Sequence, residues 1–286
     1  MIKCTDSNGY TCILGHSDGS VTVHHLKDDK FISSPSESFA LRNAMNLDGS
    51  SSPSSNEIKS VAISSPDYGQ FFAIASQTPE LLIFKQTEQI ASLEIPHPAT
   101  KVQFSPDSFR LYAAVHNYVY VFGIDVQWTL LDQIEFDSPI VDISVSHQDY
   151  LTVATSTEYD STLILLGKSP SGAMSIYHSV DISSQVSKVS ISPLVFDETD
   201  SKTSTVCVGL LDGSVYFYPF NLVTNRLQTP GNLQGSHAGE IVDIQWSFLG
   251  DYVMTSASDK SVLKFGVTAE HGYELGFKID VSDTLS

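Results

Sequence analysis

Three residues near the C-terminus, His237, Ser256 and Asp259, are of the types that form a hydrolytic triad. In such a triad the carboxylate orients the imidazole, which takes the proton of the serine hydroxyl as that oxygen attacks a carbonyl carbon. A serine nucleophile held in a strand-to-helix elbow is flanked by glycines in a GxSxG pattern, and no such pattern surrounds Ser256. The sequence therefore predicts no catalytic residues.

The histidines do not have the spacing of a metal site. His24 and His25 are adjacent, but neighbours on a strand point to opposite faces and cannot bind one ion together. Two carboxylates, Asp142 and Asp243, occupy equivalent places in IVDI segments. In a metal-dependent hydrolase they would converge on an ion. The sequence predicts no metal and no cofactor. A metal-dependent propeller hydrolase is one alternative function.

The elements that position these residues are short strands. Apolar runs such as FFAIAS (71–76), YVYVF (118–122) and SVYFY (214–218) are separated by clusters of Gly, Pro, Asp and Ser. No segment keeps a helical period over a dozen residues. The pattern predicts an all-β chain.

The strands repeat in groups of four. A strand that ends in serine and is followed by a turn recurs at intervals of about 40 to 55 residues, and Ser7-Asn8-Gly9 fits the same slot. The recurring serines are Ser65, Ser105, Ser146, Ser192 and Ser247. Four short antiparallel strands per unit predict a β-propeller of six blades, or seven if a blade is shared or missing. The expected single propeller spans 1–286, with blades at about 1–46, 57–96, 99–137, 139–183, 186–234 and 237–281, and a mobile loop at 47–56.

The segment 235–265 resembles the WD-repeat family most closely. Its Gly-His region, its strand ending in serine and its tight turn match the family pattern, in which His237, Ser256 and Asp259 would form a network that stiffens the blade. Phe265 takes the place of the family tryptophan and has no N–H to donate, so the resemblance implies a partial network. Asp18 and Asp212 match the turn position of Asp259, and each starts an Asp-Gly hairpin signal.

A second resemblance covers residues 206–257, which are similar to the closing blades of the echinoderm-microtubule-associated-protein-like propellers. It implies an alternative function as a microtubule-associated propeller, or as part of a larger tandem-propeller protein. The formal net charge of -18 argues against simple transfer of that function, because the tubulin lattice is also acidic.

The amino-acid composition limits the classes of partner that we expect. With 15 Lys and Arg against 33 Asp and Glu, a nucleic-acid-binding surface is not expected. No apolar run is long enough to span a membrane, the N-terminus has no secretory h-region, and three cysteines without a CxxC pattern fit a reducing compartment. We expect a cytoplasmic protein, with the nucleus as the alternative location.

These observations predict a non-catalytic protein-interaction scaffold. A propeller would bind peptide segments or partner subunits of a multiprotein complex through exposed turns, and the acidic surplus favours a basic partner. The predicted partner-binding residues are His16, Asp18, His116, Asn117, Asp212 and Asp259. Tyrosines near turns are further candidate anchors for a partner, namely Tyr68, Tyr159 and Tyr252.

Overall fold

The computed structural model of this chain consists of antiparallel β-sheets. Six sheets with four strand positions each form a six-bladed β-propeller, which confirms the predicted all-β class with six blades rather than seven. Within the described residues the single helical segment is the short 3-10 helix Pro66–Tyr68. The structure describes residues 2–27, 30–31, 35–40, 57–68, 70–124, 127–169, 172–193, 203–230, 235–247, 249–267 and 273–280. The expected mobile loop 47–56 lies outside them.

Two compact units divide the chain, and the first, Met1–Glu135, contains three blades. Blade one has the strands Ile2–Ser7, Thr11–His16, Ser20–Lys27, Lys30–Phe31 and Glu37–Ala40; blade two has Ser60–Ile63, Phe71–Ala75, Glu80–Lys85 and Glu88–Glu94; blade three has Lys101–Phe104, Arg110–Val115, Tyr118–Gly123 and Leu130–Glu135. In blade one the last two strands both pair with the third, so the fourth strand position is interrupted.

The second unit, Phe136–Ser286, contains the other three blades. Blade four has the strands Ile140–Val145, Leu151–Ser156, Ser161–Lys168 and Met174–Ile182; blade five has Val186–Ile191, Thr203–Leu210, Ser214–Asn221, Arg226–Leu227 and Gly235–Ser236; blade six has Ile241–Trp246, Tyr252–Ala257, Ser261–Val267 and Tyr273–Asp280. Blade five repeats the interruption of blade one, because its two short last strands pair with opposite ends of the third strand.

Apolar residues on both faces of the middle strands hold neighbouring blades together. In the strand Phe71–Ala75, four consecutive residues are buried, and the strand Leu151–Ser156 is buried from Leu151 through Thr155. Leu163 and Leu165 of blade four pack in one cluster with Val206 and Val208 of blade five. A single sheet cannot bury two apolar faces, so stacking between neighbours supplies most of the hydrophobic stabilisation.

The recurring serine closes the first hairpin of five blades. In blade three the Ser105 N–H donates to the Arg110 carbonyl oxygen at 2.9 Å, and the Arg110 N–H donates to Ser105 Oγ at 2.9 Å. We call this reciprocal pair the hairpin clamp. In four other blades it joins Ser64 to Phe71, Ser146 to Tyr150, Ser192 to Thr205 and Ser247 to Tyr252.

Two details of the hairpin clamp differ from the expected repeat. In blade two the clamp residue is Ser64, one position before the Ser65 selected by spacing, because Ser64 directly follows the paired strand. In blade one Asn8 replaces serine, and its Oδ1 accepts hydrogen bonds from the N–H groups of Tyr10 and Thr11. Both residue types offer a short side-chain oxygen that satisfies a turn N–H.

Polar side chains also connect the first strand of one blade to that of the next. Asp6 Oδ2 accepts from the Ile63 N–H at 2.8 Å in the first unit. In the second unit Asp142 Oδ2 accepts from the Val189 N–H at 3.1 Å. These bonds satisfy backbone donors on the edge strands of blades two and five.

Candidate functional site

The polar network of blade six is a linear chain of hydrogen bonds. His237 Nδ1 lies 2.6 Å from Ser261 Oγ, and His237 Nε2 lies 2.8 Å from Thr255 Oγ1. The Ser261 hydroxyl donates to Asp259 Oδ1 at 2.7 Å. Since a hydroxyl has one proton, Ser261 Oγ must then accept from His237 Nδ1–H, which leaves Nε2 to accept from Thr255.

This geometry is that of a structural network. The His237 side chain is fully buried and its Nδ1 lies 3.5 Å from Asp259 Oδ1, with Ser261 between them. In a hydrolytic triad the carboxylate bonds the imidazole directly and the serine is exposed to substrate. The Asp259 carboxylate instead accepts from the Ala238 N–H at 2.8 Å, which ties the turn to the connection that enters the blade.

Ser256 is not one of the hydrogen-bonding partners of His237. The hydroxyl group that contacts His237 Nε2 is that of Thr255, which is buried on the side of the second strand that faces His237. Adjacent strand residues point to opposite faces, so Ser256 cannot reach the same imidazole. Phe265 is completely buried in the apolar cluster between blades five and six.

The network shifts the titration of two of its members. Burial lowers the pKa of His237 below its ordinary value, opposed by the nearby Asp259 carboxylate. Hydrogen bonds from the Ser261 hydroxyl and the Ala238 N–H lower the pKa of the Asp259 carboxyl. At neutral pH the network therefore favours the neutral form of His237 and the ionised form of Asp259.

Acid is expected to destabilise blade six in two stages. Both pKa values are lower in the folded state, so the unfolded chain binds more protons as the pH falls, and stability is lost first below about pH 6.5 through His237 and then below about pH 3.8 through Asp259. Urea unfolding at a series of pH values measures this dependence. His237→Asn should reduce the first stage and leave the part that His147 contributes, because desolvation lowers the pKa of His147 as well. Asp259→Ala should cost about 1.5–3 kcal/mol at pH 7. An unchanged pH profile in His237→Asn would contradict the assignment.

The other predicted binding residues lie in equivalent turns, between the second and third strands of their blades. In blade one, His16 Nε2 lies 3.0 Å from Thr22 Oγ1, and Asp18 Oδ1 accepts from the Ser20 N–H at 3.0 Å. Asp212 Oδ1 accepts in the same way from the Ser214 N–H. These bonds make the turn aspartates structural as well as exposed.

His116 and Asn117 form the two-residue turn of blade three. His116 has a positive φ of 55°, and its Nδ1 lies 2.9 Å from Asn117 Oδ1. Its ring centroid is 6.0 Å from that of His97 in the connection entering the blade. The first unit thus presents two imidazoles at this turn.

In the second unit, hydrogen bonds join the corresponding turns into a continuous surface. Gln185 Nε2 donates to the carbonyl oxygens of Thr157 and Glu158 in the turn of blade four. The Gln185 carbonyl oxygen accepts from the Leu211 N–H in the turn of blade five. The His237 N–H then donates to the Gly213 carbonyl oxygen, which connects blade five to blade six. We call residues 157–160, 183–185, 211–213, 237–240 and 258–260 the turn surface.

The turn surface combines exposed apolar groups with acidic charge. Tyr159 is 74% exposed and Leu211 is 40% exposed. Its exposed charged residues are Glu158, Asp160, Asp212, Glu240 and Lys260. Four carboxylates against one ammonium group give this surface a negative potential.

The turn surface includes Tyr159 but neither of the other two candidate tyrosine anchors, Tyr252 and Tyr68. Tyr252 lies under Lys264, whose Nζ is 3.9 Å from the ring centroid, so its ring already has a cationic partner. The side chain of Tyr68 lies outside the described part of the structure.

The inner-strand carboxylates are engaged by backbone groups. Asp142 is buried and binds the Val189 N–H through one oxygen, while Asp243 Oδ1 accepts from the Ile244 N–H. Among the residues that the structure describes, no group of three or more His, Cys, Asp and Glu side chains is arranged to hold a metal ion.

Sequence reasoning missed several residues of these sites. Ser261 could have been found, because Asp-x-Ser recurs at Asp18, Asp212 and Asp259 and each serine N–H binds the aspartate. No sequence pattern indicated Gln185, because its side chain binds backbone carbonyl groups, which every residue has.

Neither a protein-family model nor a curated protein matches the chain. Within the described residues, no helix has the length and apolar character needed to cross a membrane.

Proposed function

We propose that this chain is a non-catalytic protein-interaction module whose turn surface binds a basic peptide segment of a partner. The observation that carries the proposal is the exposed pair Tyr159 and Leu211 within a run of carboxylates. Propellers commonly present their turns to partners, and that part of the argument is an analogy at the level of fold.

The chemistry of the turn surface favours a cationic, partly apolar segment. A tyrosine supplies a large contact area at a low entropic cost, and Leu211 extends the apolar contact. Glu158 and Asp160 flank Tyr159 directly, so a lysine or arginine beside the anchoring group of the partner would meet opposite charge. Such charge complementarity raises the association rate and excludes acidic competitors.

We also propose membership of the WD-repeat family. Three hairpins share the Asp-x-Ser turn, and the His237–Asp259 part of blade six follows the family pattern. Phe265 in the tryptophan place makes this a divergent member.

Selection from a random-peptide display library on the immobilised full chain tests the binding function. The selected sequences should be enriched in lysine and arginine, and their binding should weaken as salt rises. Tyr159→Ala should reduce affinity by about tenfold or more. Tyr10→Ala is the matched control, because Tyr10 is 65% exposed at a turn in the other unit. Peptides without a basic bias, or equal losses in the two variants, would contradict the proposal.

A further inference from the structure

Two histidine side chains lie close together on the surface of blade three. His97 is in the connection that enters the blade, and His116 is in the turn between its second and third strands. Both residues are exposed, and their ring centroids are 6.0 Å apart with the ring planes inclined at 45°. Imidazole nitrogens are common ligands of Zn²⁺ and similar divalent ions. The pair therefore has the chemistry of a metal site.

The distance between the two rings permits them to share one ion. A Zn–N bond is about 2.0–2.1 Å long and the ring nitrogen lies about 1.2 Å from the centroid, so each centroid is about 3.2 Å from the ion. Two such rings are about 5.2 Å apart at a tetrahedral angle and about 6.4 Å apart when they lie opposite each other. The observed 6.0 Å falls between these values, so small side-chain rotations bring both rings to a tetrahedral ion.

A hydrogen bond fixes the tautomer of His116. Its Nδ1 lies 2.9 Å from Asn117 Oδ1, and an amide oxygen can only accept, so Nδ1 carries the proton. In the neutral ring Nε2 then carries the lone pair that a metal ion requires. Histidines that bind metals are typically held in this way, by an acceptor on the other ring nitrogen.

The hydrogen bonds continue from Asn117 to a carboxylate. The Tyr118 hydroxyl donates its single proton to Glu135 Oε1 at 2.7 Å. Its oxygen must therefore accept the hydrogen bond that joins it to the Asn117 side chain, which donates from Nδ2. This direction leaves Asn117 Oδ1 to face the His116 ring. The carboxylate, the phenol and the amide together orient the imidazole, as the outer partners of a metal ligand do.

The backbone around His97 is restrained. Pro96 and Pro98 flank the residue, so its neighbours have fixed φ angles and its own backbone is limited to extended conformations. The Thr100 N–H donates to the Ala114 carbonyl oxygen at 2.9 Å, which ties the connection to the strand that leads into the turn. Both rings are therefore carried on restrained segments of one blade.

We propose that His97 and His116 together bind Zn²⁺ or a similar transition-metal ion through one nitrogen of each ring. Among the described residues no third His, Cys, Asp or Glu side chain joins them, so water supplies the other ligands. The formal net charge of -18 attracts cations to the protein. The site lies in the first unit and does not depend on the turn surface of the second.

Titration of the full chain with Zn²⁺ tests the assignment, and Mg²⁺, which prefers oxygen ligands, is the comparison ion. Long-range proton–nitrogen NMR reports on each imidazole. Before metal is added, His116 should carry its proton on Nδ1. Zn²⁺ should then produce saturable shifts of the His97 and His116 ring nitrogens at concentrations that leave the other histidines unshifted, and Mg²⁺ should produce none.

Substitutions identify the ligands. His97→Ala and His116→Asn should each weaken Zn²⁺ binding at least about tenfold. Asparagine is chosen because it tolerates the positive φ at position 116. Asn117→Ala should weaken binding about fivefold or more by releasing the tautomer. His25→Ala is the control and should leave binding unchanged, because His25 lies in blade one with its Nδ1 3.0 Å from Thr11 Oγ1. Unfolding curves confirm that each variant is folded.

Three results would overturn the assignment: no saturable Zn²⁺ shift at the two rings, equal shifts with Mg²⁺, or the same loss of binding in His25→Ala as in His97→Ala. A His116 proton found on Nε2 before metal is added would overturn the role given to Asn117.

Discussion

Replacing Gly213 with alanine is expected to lower the free energy of unfolding by about 3 kcal/mol or more. Gly213 has a φ of +88°, which costs a residue with a Cβ about 1–2 kcal/mol. A Cβ at this position would also lie 2.4 Å from the His237 carbonyl oxygen and 2.7 Å from that of Gly239. Backbone atoms cannot move aside as a flexible side chain can, so the turn of blade five must separate from blade six.

Gly9→Ala is the matched control for this variant. Gly9 has a φ of +86°, but an added Cβ there would meet nothing within 4 Å. It should therefore show the backbone strain alone, about 1–2 kcal/mol. Urea unfolding followed by tryptophan fluorescence measures both variants. If Gly213→Ala costs no more than Gly9→Ala, the close contact between the turn and the connection is wrong.

Replacing Phe265 with alanine is expected to cost about 3–5 kcal/mol. The side chain is fully buried, and its ring contacts Phe217 of blade five edge-to-face with centroids 5.4 Å apart. The variant removes the ring and leaves a cavity in the cluster that joins the two blades. Thermal and urea unfolding measure the loss.

Phe277→Ala, on the fourth strand of the same blade, is the control. Phe277 is 43% exposed, so its removal should cost about 1 kcal/mol or less. Similar losses in the two variants would show that blade six does not depend on its packing against blade five.

The architecture could be predicted from the sequence because its determinants are local. Serine after a strand and Asp-x-Ser in a hairpin act through hydrogen bonds to residues a few positions away. At two sites the predicted residue was wrong by one position, because two adjacent residues carry similar side chains. Ser64 and Ser65 are adjacent serines, and Thr255 and Ser256 are adjacent hydroxyl residues, so only the orientation of the strand distinguishes them.

The proposed binding surface was less predictable because it depends on contacts between blades. Tyr159 was identified as a turn tyrosine, but its connection to Leu211 runs through Gln185 and backbone carbonyl groups. In blade four, the face to which residues of the strand Met174–Ile182 point depends on a bulge opposite Leu165 and Leu166. Hydrophobic alternation does not predict where such a bulge occurs.

The hairpin clamp joins the two ends of a loop. The alignment of the two strands therefore does not depend on the length of the loop between them. In blade three it joins residues five positions apart, and in blade five it joins Ser192 to Thr205, thirteen positions apart. Closing a longer loop adds only a modest entropic cost. Each blade can therefore gain or lose residues beyond its clamp while the sheet is preserved, which makes these hairpins natural places for insertions during evolution and for engineered epitopes.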